Sequence, residues 1–395
     1  MQNRIKLYYF APHPIQYNIG IFKKLEKSND IDFKVIFEDD MGVKPVYVKE
    51  FKKEIKWDID LLSGYKYQFL KNYSLNNTGG FFGRINPNII SILFKNRPNV
   101  IILHGYVYLS DWMVLFISKI LKIKIIFRGE ATLRATENTP TLKQKLKKLF
   151  LNYWLKACDT VMYSCSGNKE YWKYYGVNES KLVSLPCAVD NIFFQNENKK
   201  YVKIKDSIKE QLNIDNDDFI VLFSARFTSR KRPLDLIRAI SKIDHSNIII
   251  LFVGDGLERK NMEDEVKKHN IKAIFTGFIN QTEISKYYTI SDLDIVISDY
   301  DPSPKAMNEA MNFKLPIIVT DIVGTANDLV EDGENGFIVK VGDIDLISQK
   351  IDFLNKNRGI AKEMGKESLK IVNEWTFEKD VYWIEEAVKY VMEKK

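Results

Sequence analysis

Two successive blocks of short apolar strands alternating with amphipathic helices predict an α/β chain of two domains, each built on a parallel sheet. Three observations carry this expectation. Apolar runs of about four to six residues recur in both halves with helical patterns between them. A polar stretch rich in Lys and Asn, residues 191–218, separates the halves. The length of 395 residues suits two domains of ordinary size, each burying its own core.

In the first block, strands are expected at 7–10, 33–37, 100–103, 123–127, 160–163 and 182–185, because each run is apolar enough to be covered on both faces. Helical periodicity falls between them at 16–27, 87–95, 111–121, 142–157 and 168–175. The second block repeats the alternation, with strands at 220–224, 248–253, 274–276, 294–297, 317–320 and 337–339. Two of its helices open at Pro233 and Pro304, whose fixed φ suits a first turn. The expected division is an N-terminal domain 1–190, a linker 191–218, a C-terminal domain 219–375 and a last helix within 376–395.

Composition bounds the function. A hydrophobic fraction of 45% excludes a disordered chain. Cys158, Cys165 and Cys187 have no Cys-x2-Cys spacing and read as reduced core thiols. No run reaches the roughly 18 apolar residues of a membrane span, and the N-terminus enters a strand without a leader's apolar core, so a cytoplasmic protein is expected. Charge is uneven: residues 1–190 hold 29 Lys+Arg against 17 Asp+Glu, and the rest holds 30 against 35. The positive excess includes Arg84, Lys95, Arg97, Lys119, Lys122, Lys124, Lys143, Lys145, Lys147 and Lys148, interleaved with Leu146, Leu149, Phe150 and Trp154. Basic residues on amphipathic helices suit an anionic membrane surface. The alternative is a solvated basic face whose apolar stripe lies in the core. No helix-turn-helix, RNP or zinc-finger pattern accompanies the charge, so nucleic acid is not an expected partner.

Two segments carry chemistry. The stretch Val221-Leu222-Phe223-Ser224-Ala225-Arg226-Phe227-Thr228-Ser229-Arg230-Lys231-Arg232-Pro233 runs from a strand into a basic loop and a helix. Ligands of open α/β sheets bind at that carboxyl edge, and Arg226 and Lys231 could clamp a diphosphate there. About 75 residues on, Ser298-Asp299-Tyr300-Asp301-Pro302-Ser303-Pro304-Lys305-Ala306-Met307-Asn308-Glu309 places Asp301 on a loop and Glu309 in the helix it feeds. Each segment alone also reads as an ordinary polar strand–helix connection.

Together, Arg226-x4-Lys231 and Asp301-x7-Glu309 resemble the paired motifs of the retaining family 4 glycosyltransferases of GT-B fold. Phe252-Val253-Gly254-Asp255-Gly256 and Phe275-Thr276-Gly277-Phe278 are similar to the family's intervening strand turns. The resemblance is closest from Phe219 to Trp375 and looser around His13-Pro14-Ile15-Gln16-Tyr17, His104-Gly105-Tyr106 and Arg128-Gly129-Glu130. It implies two Rossmann-like domains facing across a cleft, with a nucleotide-diphosphate sugar, UDP- or GDP-linked, on the C-terminal domain. The acceptor implied is a glycan or lipid-linked saccharide of surface polysaccharide or lipopolysaccharide assembly.

Carried over residue by residue, the resemblance implies that Glu309 holds ribose hydroxyls and Asp301 takes hydroxyls of the transferred sugar. Arg226 and Lys231 neutralise the diphosphate, amides near Ser303 and Lys305 approach its β-phosphate, and Gly277 and Phe278 lie near the base. His104 and Glu130 are the sugar-facing and acceptor-orienting candidates, and His13 and Arg128 lie on the acceptor side. Two departures stand out: Asp301 replaces the usual Glu, and Ala11-Pro12-His13-Pro14 lacks the paired glycines. No cofactor or metal is expected. Asp299-Tyr300-Asp301 spells the Asp-x-Asp metal motif of a different fold, but here the Arg/Lys pair is placed to supply the charge. A nucleotide-sugar epimerase of the same fold and a non-catalytic nucleotide-sugar-binding scaffold stay open as rivals.

Overall fold

The computed structural model describes residues 4–43, 45–48, 53–55, 57–75, 80–133 and 141–394, apart from the side chains of 46–48, 53–55 and 143. It comprises two compact units, one of Met1–Val46, Ile59–Cys187 and Phe377–Lys395, the other of Tyr47–Asp58 and Ala188–Thr376.

The first half of the chain runs β1 (Ile5–Ala11), α1 (Gln16–Leu25), β2 (Ile31–Phe37), the short paired strands β3 (Val46–Val48) and β4 (Lys53–Ile55), and β5 (Tyr67–Phe69). It continues with α2 (Asn88–Asn96), β6 (Val100–His104), α3 (Leu109–Ile120), β7 (Lys124–Arg128), α4 (Leu142–Ala157), β8 (Thr160–Tyr163), α5 (Ser166–Tyr174) and β9 (Leu182–Ser184). Seven strands form one parallel sheet in the order β5-β2-β1-β6-β7-β8-β9. Its central strands are buried on both faces, as their unbroken apolar runs require. The longer expected strands are present within two residues of their expected ends. β3, β4 and β5 were not foreseen, because three residues are too few to show a period.

The second half runs α6 (Asn191–Tyr201), α7 (Lys205–Gln211), β10 (Phe219–Ser224), α8 (Pro233–Ile240), β11 (Ile248–Val253), α9 (Arg259–Lys268), β12 (Lys272–Gly277) and α10 (Gln281–Ile290). Then come β13 (Leu293–Val296), α11 (Lys305–Met311), β14 (Ile317–Thr320), α12 (Ala326–Leu329), β15 (Gly336–Val339), α13 (Ile344–Lys356), α14 (Arg358–Asn373) and α15 (Phe377–Glu393). Six strands make a second parallel sheet, ordered β12-β11-β10-β13-β14-β15. Residues 191–218, read as a linker, fold as α6 and α7 within the second unit. There Asn191 Nδ2 donates to the carbonyls of Val372 and Trp375 at 2.9 and 2.8 Å.

The last helix packs on the first unit. Asp380 Oδ1 accepts the backbone N–H of Cys187 at 3.0 Å, and Phe377 lies flat over α1 at Gly20. A Cβ at Gly20 would stand 2.1 Å from the Phe377 ring, so only glycine admits this contact. Segment 47–58, although it comes from the first half of the sequence, belongs to the second unit. Asp58 Oδ2 accepts the N–H of Thr282 at 3.1 Å, in the first turn of α10.

Candidate functional site

Each sheet reverses its strand order once beside its first strand: β1 lies between β2 and β6, and β10 lies between β11 and β13. Loops leaving the carboxyl ends of such neighbours diverge and open a crevice. His13 and His104 fall at the first of these places and Arg226, Lys231, Asp301 and the start of α11 at the second, while Arg128 and Glu130 lie at the end of β7 and Gly277 and Phe278 at the end of β12.

In the second unit, the basic loop after β10 and the acidic loop after β13 meet. Lys231 forms an ion pair with Asp301, and both side chains are largely buried. Arg230 Nη1 donates to the Tyr300 carbonyl at 2.6 Å, and Asp299 N donates to the Arg230 carbonyl at 2.9 Å. Arg226, on the same loop, is exposed. The loop owes its shape to two features. Arg232 adopts a left-handed φ of 55°, turning the chain into α8 with Pro233 in its first turn. The Gly254-Asp255-Gly256 turn backs directly onto it, with Phe227 N donating to the Asp255 carbonyl at 2.9 Å. A Cβ at Gly254 or Gly256 would lie 2.0 Å from the Ala225 carbonyl oxygen or 2.3 Å from that of Phe227. Those glycines therefore set the position of the cationic loop.

Glu309 is 4% exposed in α11 and accepts the Tyr288 hydroxyl at 2.9 Å. Burial, and then the charge of Glu309, push the Tyr288 hydroxyl's pKa well up, so it remains a donor. Asp294, on β13, is also buried, and burial raises its carboxyl well above the usual range. Lys305 Nζ donates to Ser303 Oγ at 2.7 Å, where the acidic loop enters α11. Gly277, the last residue of β12, turns with φ 73°, and its carbonyl accepts from Gly254 N at 3.0 Å. Phe278 meets the Trp57 ring edge-on at 6.3 Å. Of the Asp-x-Asp pair, Asp299 is exposed while Asp301 is buried against Lys231.

The first unit holds its polar groups differently. Arg128, at the end of β7, is 4% exposed and donates inward from both terminal nitrogens. Nη1 reaches Tyr9 Oη at 2.6 Å and Asn18 Oδ1 at 3.1 Å, while Nη2 reaches Glu130 Oε1 at 2.8 Å and Cys187 Sγ at 3.0 Å. Arg128 thus positions its neighbours and keeps its own fork inside. Tyr9 Oη also lies 3.2 Å from His104 Nδ1. Burial pushes the Tyr9 hydroxyl up to about 12. Its oxygen already accepts from Arg128, so its proton is left for His104 Nδ1. His104 then carries its own proton on Nε2. Burial, and then Arg128, push His104 down to about 3, so it is a neutral donor at ordinary pH.

His13, in the loop after β1, has Nδ1 3.4 Å from Arg84 Nη2 and is pushed down to about 4 by burial and then by that guanidinium. Glu38 and Asp111 are both buried, Asp111 Oδ2 accepting the N–H of Tyr108 at 2.9 Å, and their coupled carboxyls are placed to share a proton. Burial raises both, Glu38 well above its ordinary value and Asp111 to about 7. Arg84 covers the Tyr108 ring at 4.3 Å.

Sequence reasoning named His13, His104, Arg128 and Glu130, but missed Tyr9, Glu38, Asp111 and Tyr288. Tyr9 lies in the apolar run of β1 and Tyr288 on the buried face of α10, where a tyrosine reads as core, and only their neighbours reveal the role of the hydroxyl.

Comparison with known proteins bears on the fold and on the sequence of the second unit. Residues 204–370 match the family model of Glycosyl transferases group 1. The chain is 25% identical over 231 residues to the GalNAc-alpha-(1->4)-GalNAc-alpha-(1->3)-diNAcBac-PP-undecaprenol alpha-1,4-N-acetyl-D-galactosaminyltransferase of Campylobacter jejuni. That match covers 58% of this chain and 59% of the relative. The fold is similar over the full length of both chains to a glycosyltransferase from Rickettsia africae, with a TM-score of 0.76 at 19% identity. It is also similar to Anabaena Alr3699/HepE, solved with UDP and glucose, with a TM-score of 0.72 at 16% identity over 98% of this chain and 100% of that one. The fold is that of the GT-B glycosyltransferases, and residues 204–370 of the second unit match the model of the glycosyl transferases of group 1.

Proposed function

We propose that this chain is a retaining glycosyltransferase that moves a sugar from a nucleotide diphosphate to a glycan or lipid-linked saccharide acceptor. The observation that carries the reading is the Lys231–Asp301 pair joining the loops after β10 and β13 at the order reversal of the second sheet, with the buried Glu309 in the helix that the second loop feeds. An ammonium has three N–H donors, so Lys231 can serve a phosphate oxygen while keeping Asp301 oriented. Asp301 then has a free edge for a sugar hydroxyl. Glu309, held by Tyr288, can accept two ribose hydroxyls at once.

Charge develops on the diphosphate as the glycosidic bond breaks. In this reading Arg226 and Lys231 neutralise it without a divalent ion. Attack from the face the diphosphate leaves would retain the anomeric configuration. A neutral His104, donating from Nε2, suits a sugar hydroxyl, and Glu130 suits the acceptor hydroxyl. The undecaprenol-linked substrate in the name of the Campylobacter relative and the UDP and glucose in the Anabaena structure support a UDP-sugar donor and a lipid-linked acceptor. Assembly of a surface polysaccharide or lipopolysaccharide is the setting that fits such a pair.

Calorimetric titration of nucleotide-sugars in EDTA, on the natural protein and on Glu309→Ala, tests the donor site. Micromolar binding of one donor that weakens roughly tenfold to a hundredfold in the variant is expected. Binding that ignores Glu309 or requires a divalent ion would overturn the site. Release of free nucleotide and sugar without an acceptor would point to the epimerase rival.

A further inference from the structure

Segment 47–58 lies between β2 and β5 in sequence but belongs to the second unit, and its last two residues fix where it rests. Asp58 Oδ2 accepts both the N–H and the hydroxyl of Thr282, in the first turn of α10. Backbone N–H groups at that turn have no partner inside the helix, and the helix dipole favours a carboxylate there. A residue distant in sequence thus completes the start of α10. Trp57, beside it, is held with its half-buried ring edge-on to Phe278 at 6.3 Å.

Phe278 stands at the end of a track along the carboxyl edge of the second sheet. The track starts at the loop after β10, which carries Arg226 and Lys231. The Gly254-Asp255-Gly256 turn after β11 backs onto that loop, where Phe227 N donates to the Asp255 carbonyl. Gly254 N in turn donates to the Gly277 carbonyl at the end of β12. Phe278 follows directly, and Trp57 adjoins it. Strands β10 and β12 are two places apart in the sheet, so their ends are separated by about 10 Å.

That separation and the chemistry at its two ends select the ligand group. A nucleotide whose diphosphate lies at Arg226 and Lys231 can span it with its base, the one flat aromatic group it carries. Indole and phenyl rings stack on a planar base, and a diphosphate alone would gain nothing from them. The ring pair therefore suits the base end of a nucleotide whose charged end lies on the basic loop.

We propose that Trp57, carried to the second unit by segment 47–58, is a recognition residue for the donor's nucleobase, stacking on it beside Phe278. This role rests on the reading of the second unit as a nucleotide-sugar site, and it adds a residue that the motif spacings do not include. The base is then held by residues from both halves of the sequence, and the diphosphate and ribose by residues of the second half alone.

The test is calorimetry of the full chain with UDP, GDP and inorganic pyrophosphate, on the natural protein and on Trp57→Ala, Trp57→Phe, Trp383→Ala and Glu309→Ala. Trp57→Ala should weaken the preferred nucleotide roughly tenfold and leave pyrophosphate unchanged, because only the base loses a contact. Trp57→Phe should recover most of that affinity. Trp383→Ala, which removes an exposed ring of α15 in the first unit, should bind as the natural protein does. Tryptophan emission should change when the preferred nucleotide is added to the natural protein, and that change should be lost in Trp57→Phe. Equal nucleotide affinity in Trp57→Ala, or an equal loss for pyrophosphate, with Glu309→Ala still impaired, would overturn the role of Trp57 and leave the donor reading intact. Nucleotide binding that ignores both Glu309 and Trp57, or no nucleotide binding at all, would remove the donor reading and the role of Trp57 with it.

Discussion

The two order reversals hold charge in opposite ways. In the second unit Arg226 is exposed, and Lys231 reaches across from one loop to Asp301 on another. In the first unit Arg128 is buried with both terminal nitrogens turned inward, and His13 and His104 are held neutral, with values near 4 and 3. An exposed arginine and a lysine that spans two loops both stand where an incoming anion can reach them. A neutral imidazole backed by a tyrosine offers a donor to a hydroxyl and carries no charge that must be desolvated. Under the proposed function, the second unit's exposed and cross-loop cations suit a phosphate, and the first unit's neutral imidazoles suit hydroxyls.

The largest expected effect tests the charged side. Lys231→Met should lower turnover per donor bound by on the order of a hundredfold to a thousandfold, read as nucleotide release. It also leaves Asp301 buried without its ion partner, which should cost roughly 3 kcal/mol in urea unfolding. Unchanged turnover would break the comparison at its stronger end.

A matched pair of arginines sharpens it. Arg128→Met should destabilise the first unit by roughly 3 kcal/mol, because Glu130 and Tyr9 lose a buried donor. Arg226→Met should leave stability within about 0.5 kcal/mol and weaken donor binding. Equal melting temperatures for the two variants would show that burial is not what separates them.

Tyr9→Phe is expected to cost about 1 kcal/mol, and to release His104 from one tautomer. Nitrogen chemical shifts of His104 should report Nε2–H in the natural protein and a mixture in the variant. A single tautomer in both would mean that another group orients the ring.

The smallest effect is one of pH. Asp111 titrates at about 7 when folded, against about 4 in an unfolded chain. Between those values the folded protein binds more protons, so this contribution is present below pH 4 and lost as pH rises through 7. The histidines oppose it. With folded values near 4 and 3 and an unfolded value of about 6.5, their contribution is present above pH 6.5 and lost as pH falls. The stability difference between the natural protein and Asp111→Asn should therefore shrink from about pH 5 to about pH 8. Glu38 limits its size, since it can hold the shared proton. A difference independent of pH would remove the proton-sharing pair.

Much of the fold and half of the site could be read before any coordinates. Strands such as 248–253 are apolar enough to leave only a central position, and Pro233 marks the start of α8. The spacing of Arg226, Lys231, Asp301 and Glu309 pointed to one edge of one sheet, because each follows a recognisable strand end. Residues 191–218 were less legible. Their polarity suggested a connection, while their helices are tied to the second unit by contacts such as those of Asn191, made far along the chain.

Local patterns, which depend on a few neighbouring residues, were enough for the longer strands of the two sheets, the helices between them and the acidic and basic loops. Partners distant in sequence decided the rest. Tyr9, Asn18, Arg128 and Cys187 come together only when β1, α1, β7 and the end of the first unit's sheet are packed, and Tyr288 finds Glu309 only across α10 and α11. In α4, Leu151, Trp154 and Leu155 are buried while Leu142, Leu146 and Leu149, at the same helical spacing, are exposed, and the aromatic surface of α3 under the first set decided which is core. Periodicity says that a face is apolar. Only packing decides whether that face is covered.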